Sequence, residues 1–263
     1  MCLGGLFAQA ATNDGKPEES PAPRPAQAPW SLSIDLTFAD KDFGRPLRVF
    51  GPVFQQNVNF EYRFGGLGTI GINSWADLDL TDTNGHAGRY SELDTSAYWR
   101  HDLAPLGSLE LGYIRFDYPE ERSSSWIHEA YARIKAKFLL KPSFAAHRDV
   151  GPYEGWYLKA EVSHRFPLED VLGSVVKDWS FELGGNASWG DGRTIRRFFL
   201  RSDNRTEASF IGASETGALH VPLFRSGGRS VTLSPYFTVL ERVPSTAPPR
   251  TSWLLGVGLN LGF

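Results

Sequence analysis

His86, His101, His128, His147, His164 and His220 are the first residues to test for acid–base chemistry. A hydrolytic site needs a serine, a base and an orienting polar group within hydrogen-bond reach. His164 follows Ser163, but neighbours on a strand point to opposite faces, so the two cannot form a dyad. No G-x-S-x-G elbow, H-E-x-x-H pair or glycine-rich phosphate loop occurs, which removes the common hydrolase and nucleotide signatures. Asp82, Asn84 and Gly85, preceded by Asp77 and Asp79, offer oxygen ligands. They lack the closing glutamate of a calcium loop and read as an acidic turn. Cys2 is the single cysteine, which leaves no disulfide framework, thiolate metal site or cysteine nucleophile. No cofactor, metal or catalytic residue is expected. A net charge of -3 gives no electrostatic case for nucleic acid.

The elements that would carry any site follow a period of two, the strand period. Trp253, Leu255, Val257, Leu259, Leu261 and Phe263 alternate with Ser252, Leu254, Gly256, Gly258, Asn260 and Gly262. Trp30, Leu32, Ile34, Leu36 and Phe38 alternate in the same way with Ser31, Ser33, Asp35 and Thr37. Extending the pattern predicts about twelve strands, near 30–40, 52–64, 67–81, 90–103, 107–118, 125–138, 140–150, 153–166, 178–191, 205–224, 228–242 and 250–263. The strand at 140–150 is weak, the register of 205–224 is ambiguous, and a parity change near 113–115 predicts a β-bulge. Most segments reach the roughly 9–11 residues that a tilted strand needs to cross a bilayer. Strands of soluble proteins average about five or six, which argues against a soluble β-sandwich.

Connections and aromatics lead the same way. Links after even strands are mostly short, and those after odd strands are mostly longer and more polar, as in a barrel with periplasmic termini. The exception, PLEDVLGSVVKD, could hold one helical turn. Trp30, Phe64, Phe138, Phe166, Trp179, Phe224 and Phe263 fall at one end of the strands. Trp126, Trp156, Trp189 and Trp253 fall at the other, which predicts two aromatic girdles. The fold class expected is all-β: a transmembrane antiparallel up-and-down β-barrel over residues 30–263. Residues 1–10 read as the remnant of a secretory signal peptide, and 11–29 as a disordered proline-rich periplasmic tether. Phe263 closes an alternating apolar strand, as expected of a signal for the barrel-assembly machinery.

The segments WSLSIDLTF, INSWADLDLTDTNG, GYIRFDYPE and GVGLNLGF resemble the TorF-type porins, a loosely defined family of bacterial outer-membrane proteins. The resemblance implies a transport-related barrel and supplies no site residues.

If the faces are as assigned, charges sort to the interior. Asp35, Asp77, Asp79 and Asp94 fall in the outer half. Glu129, Arg133, Lys159, Glu161 and Glu182 fall in the middle. Lys135, Lys137 and Arg165 lie toward the periplasmic end with Arg63, Arg100, Glu61 and Asp102. Twelve strands leave an interior between the filled eight-stranded barrel and the open sixteen-stranded porin. The charges therefore fit either a narrow channel for small polar solutes or a salt-bridged core that seals the barrel. Their even mixture predicts no strong ion selectivity. A structural, adhesive or lipid-interacting barrel is the second functional reading, and an outer-membrane lipid hydrolase the third. The partners expected are outer-membrane lipids, lipopolysaccharide (through the basic, aromatic 192–204 loop), the assembly machinery and small polar solutes. Apart from His101, His128 and His164, no polar patch is expected on the outer face. Charge reversal at Lys135 and Lys137 is expected to lower anion preference in a bilayer recording; an unchanged reversal potential would count against a basic inner mouth.

Overall fold

The computed structural model describes residues 28–41, 43–44, 48–49, 51–82, 87–119, 126–151, 154–199, 209–242 and 251–263. The signal remnant and most of the tether lie outside the described residues. Twelve antiparallel strands close into one barrel: β1 (Trp30–Ala39), β2 (Val53–Arg63), β3 (Thr69–Asp79), β4 (Tyr90–Leu103), β5 (Gly107–Asp117), β6 (Trp126–Ala136), β7 (Ser143–Asp149), β8 (Trp156–Pro167), β9 (Ser180–Gly190), β10 (Ser209–Ser226), β11 (Arg229–Arg242) and β12 (Thr251–Gly262). Each strand pairs with its sequence neighbours, and β1 closes the ring against β12, from Ser33 opposite Gly262 to Ala39 opposite Gly256. The weak segment at 140–150 does form a strand, of only seven residues. Its link from β6 turns through Leu140 and Lys141, both at positive φ. The PLEDVLGSVVKD connection holds a helical turn, α1 (Glu169–Leu172).

Period two works because the two faces meet different surroundings. Large apolar side chains stand exposed on the outer wall, among them Phe60, Ile72, Leu111, Ile134, Phe144, Val162, Leu183, Phe237 and Leu255. A continuous apolar exterior of this kind suits hydrocarbon and not water. Polar residues and glycine take the inner positions.

The register departs from expectation in two places. No bulge occurs near 113–115: β5 pairs without a shift with both β4 and β6. The apolar parity changes there because Ile114 and Phe116 point inward near the rim, while Arg115 and Asp117 point outward and form an ion pair at 2.9 Å. The bulges lie instead at Asp77/Leu78, Ser188/Trp189 and Pro222/Phe224. The last two both involve β10, whose alternation is shifted at each end, and that is why its register is ambiguous in sequence. The β10–β11 turn needs no such adjustment. Gly227 and Gly228 both have positive φ, as a two-residue hairpin that follows strand twist demands.

Three inward tyrosines fix the register from inside. Tyr98 lies over Gly71, Tyr131 over Gly112 and Tyr236 over Gly256, each directly opposite on the neighbouring strand. Each ring occupies the space of the missing side chain, so a one-residue slip would drive it into a Cβ. A Cβ at position 112 would stand 2.4 Å from the Tyr131 ring. Gly112→Val is therefore expected to cost about 1–3 kcal/mol, read as a lower urea midpoint in lipid vesicles. Gly66→Ala, with nothing within 4 Å of the new Cβ, should leave the midpoint in place.

Candidate functional site: the barrel interior

The interior divides into two unlike halves. On β2 to β6 the alternating wall carries a ladder of opposite charges. The Arg100 guanidinium lies 2.7 Å from the Glu61 carboxylate and 3.7 Å from that of Glu110, which Arg133 approaches at 3.2 Å. Tyr98 donates a hydrogen bond to Glu61 at 2.6 Å, and Tyr131 donates one to Glu110 at 2.9 Å. Negative and positive groups thus alternate across four strands, and two of the tyrosines that set the register also donate hydrogen bonds to the carboxylates. Glu110 is 8% exposed, so its two arginines and one hydroxyl supply what water no longer can.

Toward the rim remote from the termini, Asp77 and Asp79 are fully buried. Ser91 donates to Asp77 at 2.9 Å. Glu129 lies on this side of the interior, 3.3 Å from His147 Nδ1, and the imidazole stacks on Tyr131 at 5.3 Å between centroids. Phe116, Ile127 and Ala145 add buried apolar bulk. This half of the cross-section is filled.

The other half is open. A cavity of about 520 Å³ lies between β8, β10, β11, β12 and β1, lined by Asp35, Thr37, Arg165, Thr216, His220, Thr232, Ser234, Tyr236 and Asn260, among others. Half of the lining is short (Thr37, Thr216, Ala218, Thr232, Ser234 and Gly258), and these residues leave space between Arg165, His220 and Tyr236. Arg165 holds Glu182 at 2.6 Å, and His220 bridges Glu182 at 3.2 Å and Ser234 at 2.9 Å. Thr216 and Thr238 share a hydrogen bond of 2.8 Å. Asp35 accepts hydrogen bonds from Asn57, at 3.1 Å, and from Asn260. Hydroxyls, one amide and charges of both signs therefore face the open space.

The residues expected inside can now be placed. Asp35 and Arg165 line the cavity. Lys159 and Glu161 pair at 2.5 Å, with Ser143 donating to Glu161 at 3.1 Å. Glu182 lies near the start of β9, toward the termini, and not mid-strand as expected. Lys135 shares the inward face of Arg133, and Asp94 that of Asn73. Lys137 meets Asp102 at 3.4 Å, both exposed at the rim nearer the termini. His147 and His220, which periodicity alone left unassigned, both point inward. His101, His128 and His164 point outward against Trp99, Tyr113 and Phe166. Ser163 and His164 face opposite sides.

On the outside, Trp30, Phe64, Phe138, Phe166 and Phe224 are exposed at the end where β1 begins and β12 ends, with Trp179 just before β9. Trp156, Trp189 and Trp253 are exposed at the other end. The side chain of Trp126 lies outside the described residues. Phe263 exchanges two backbone hydrogen bonds with Leu32. The 192–204 segment is not wholly a loop. It forms α2 (Gly192–Phe199), whose first turn is capped by Asp191 through the backbone N–H of Thr194 at 2.9 Å. Its remainder, like Asn84, Gly85 and His86 in the acidic turn, lies outside the described residues. Among the described residues no cluster has the make-up of a metal site.

No family model and no curated protein matches the sequence. Among solved structures, the chain is similar to the NanC porin, at 7% identity and a TM-score of 0.50, over 88% of this chain and 98% of that one. It also aligns with the KdgM porin at 15% identity and a TM-score of 0.47, over 86% and 97% of the two chains. An outer-membrane channel from Pseudomonas putida F1 aligns at 10% identity and a TM-score of 0.47, over 95% and 100%. The fold is that of a bacterial outer-membrane β-barrel, transmembrane and twelve-stranded.

Removing one member of the charge ladder tests its weight. Glu110→Leu leaves Arg100 and Arg133 short of a partner and is expected to destabilise the barrel by about 3 kcal/mol, measured as the urea midpoint in lipid vesicles. A midpoint equal to wild type would mean that water already satisfies the ladder.

Proposed function

We propose that the chain is a passive outer-membrane channel for small polar solutes, with its path off-centre, along the β8 and β10–β12 side of the interior. The observation that carries this reading is the open half of the interior, about 520 Å³, with hydroxyl and amide side chains along its wall beside Arg165, His220 and Asp35. Such a wall exchanges hydrogen bonds with a passing solute without holding it. Arg165, His220 and Asp35 supply charges of both signs, so small neutral and zwitterionic solutes suit the path better than one class of ion. In this reading both termini face the periplasm, and the two sets of exposed aromatics mark the lipid–water boundaries. Lipopolysaccharide then surrounds the outer rim, and the edge ending in Phe263 is what the assembly machinery would grip.

A second reading has one observation in its favour. The charge ladder and tyrosines fill the other half of the cross-section, as in a sealed barrel with a structural or lipid-related role. One serine among the described residues is placed with a histidine: Ser234 lies 2.9 Å from His220 Nδ1, and Glu182 lies 3.2 Å from the Nε2 of the same ring. A hydrolase would use these three groups; Arg165, 3.2 Å from that Nε2, ties the ring and its carboxylate into the cavity wall, as the channel reading has it.

Refolded into detergent, the full chain is expected to migrate differently with and without boiling and to give stepwise conductance in a planar bilayer. Ala218→Trp or Gly258→Trp, which place a large ring in the cavity, should cut that conductance several-fold while preserving the heat shift. Wild type without conductance, or tryptophan variants that conduct normally, would overturn the channel reading.

A further inference from the structure

Among the described residues, β10 and β11 carry two exposed carboxylates on the outer wall: Glu241, beside Ala213 and Thr251 toward the outer rim, and Glu215, one row deeper. Glu215 lies opposite Gly185 on β9 and Val239 on β11. Gly185 in turn lies opposite Val162, which is exposed on the outer wall. On the opposite parity of β10, Ser214 and Thr216 bond across the inner face to Asn186 and Thr238, so Glu215 points away from the interior, and it is exposed. Trp189 stands above it on β9 and Trp253 is two strands along; Phe181 and Leu219 lie below. The side chain therefore falls inside the belt and not on a rim. No described residue forms a hydrogen bond or ion pair with it. Periodicity, which predicted no polar patch on this face beyond the three histidines, does not place it, because of the two shifts in β10.

The wall beside Glu215 is also flat. Ala160, Ala187 and Ala213 lie side by side on β8, β9 and β10, one row above Val162, Gly185 and Glu215. An ionisable side chain facing hydrocarbon is costly and rare without a partner, and small residues let a second wall approach closely. The occupant must bring a hydrogen-bond partner to the same depth as the carboxyl. A second copy related by a two-fold axis along the membrane normal does so of necessity, because it brings its own Glu215.

We infer that the chain forms a two-fold dimer through the β8–β10 wall, with the two Glu215 carboxyls meeting at the axis and sharing a proton across a floor of alanine and glycine. Each barrel keeps its own interior, so the inference stands apart from the channel reading. It rests only on the outer wall facing lipid.

The test uses the full chain in lipid nanodiscs and vesicles, with the boiling shift confirming insertion of every variant. Wild type is expected to be dimeric by mass, and Glu215→Leu to weaken the dimer about tenfold. Glu215→Gln, whose amides can pair in the same way, should keep it. In a Cys2→Ser background, Ala213→Cys should cross-link on oxidation, whereas Ala97→Cys, outward on β4 across the barrel, should not. A heat-modifiable wild type that stays monomeric, Glu215→Leu dimers as tight as wild type, or equal cross-linking at the two cysteines would each overturn the inference. Loss of the heat shift in wild type would instead overturn the lipid-facing assignment beneath it.

Discussion

Hydrocarbon offers no water to an unpaired backbone N–H or C=O, so a chain that crosses it with strands must satisfy every such group within itself. This constraint dictates closure, and closure dictates most of the remaining architecture. β1 must meet β12, the strand count sets the width of the interior, and the strand period assigns each residue to lipid or lumen. The same constraint explains why the bulges sit near the ends of their strands, where water can take up the groups that a shifted ladder leaves over.

The inner wall solves a second problem in two ways. Charged and aromatic side chains cannot be left half-satisfied in an interior of limited width. On β2 to β6 they are packed against one another: tyrosine over glycine, hydroxyl to carboxylate, carboxylate to guanidinium. On β8 to β12 short residues stand between Arg165, His220 and Tyr236, and water can fill the space. One half is thus packed by its side chains; the other is open. Tyrosine covers glycine in both halves, Tyr131 over Gly112 and Tyr236 over Gly256, and on the open side glycine also faces serine, as Gly258 does Ser234.

Much of this was legible in the sequence, because a membrane barrel has unusually simple local rules. The apolar alternation of Trp253 to Phe263 or Trp30 to Phe38 has one physical meaning, and strand number and order followed from it. Three things were hidden. Periodicity assigns aromatics to lipid, so the inward Tyr98 and Tyr131 gave no signal apart from the glycines opposite them. The pairing of Arg165 with His220 spans three strands, and nothing local announces it. Glu215 was lost because two register shifts in one strand defeat parity counting. The false bulge near Ile114 had the opposite cause: strands continue beyond the membrane, where apolar and polar residues exchange faces without any break in the ladder.

The seam between β1 and β12 also bears on how the barrel comes to exist. Gly227 and Gly228 join strands that are adjacent in sequence, and such a hairpin can form within microseconds. The bonds between Leu32 and Phe263 instead enclose a loop of nearly the whole barrel, and the entropy of that closure is repaid only once the ring is complete. The seam is thus the natural last event of assembly and the natural first event of failure. Before it forms, β1 and β12 present two bare edges, each a template for foreign strands. The lifetime of that open ring, more than the equilibrium stability of the closed one, decides whether a chain becomes a barrel or an aggregate.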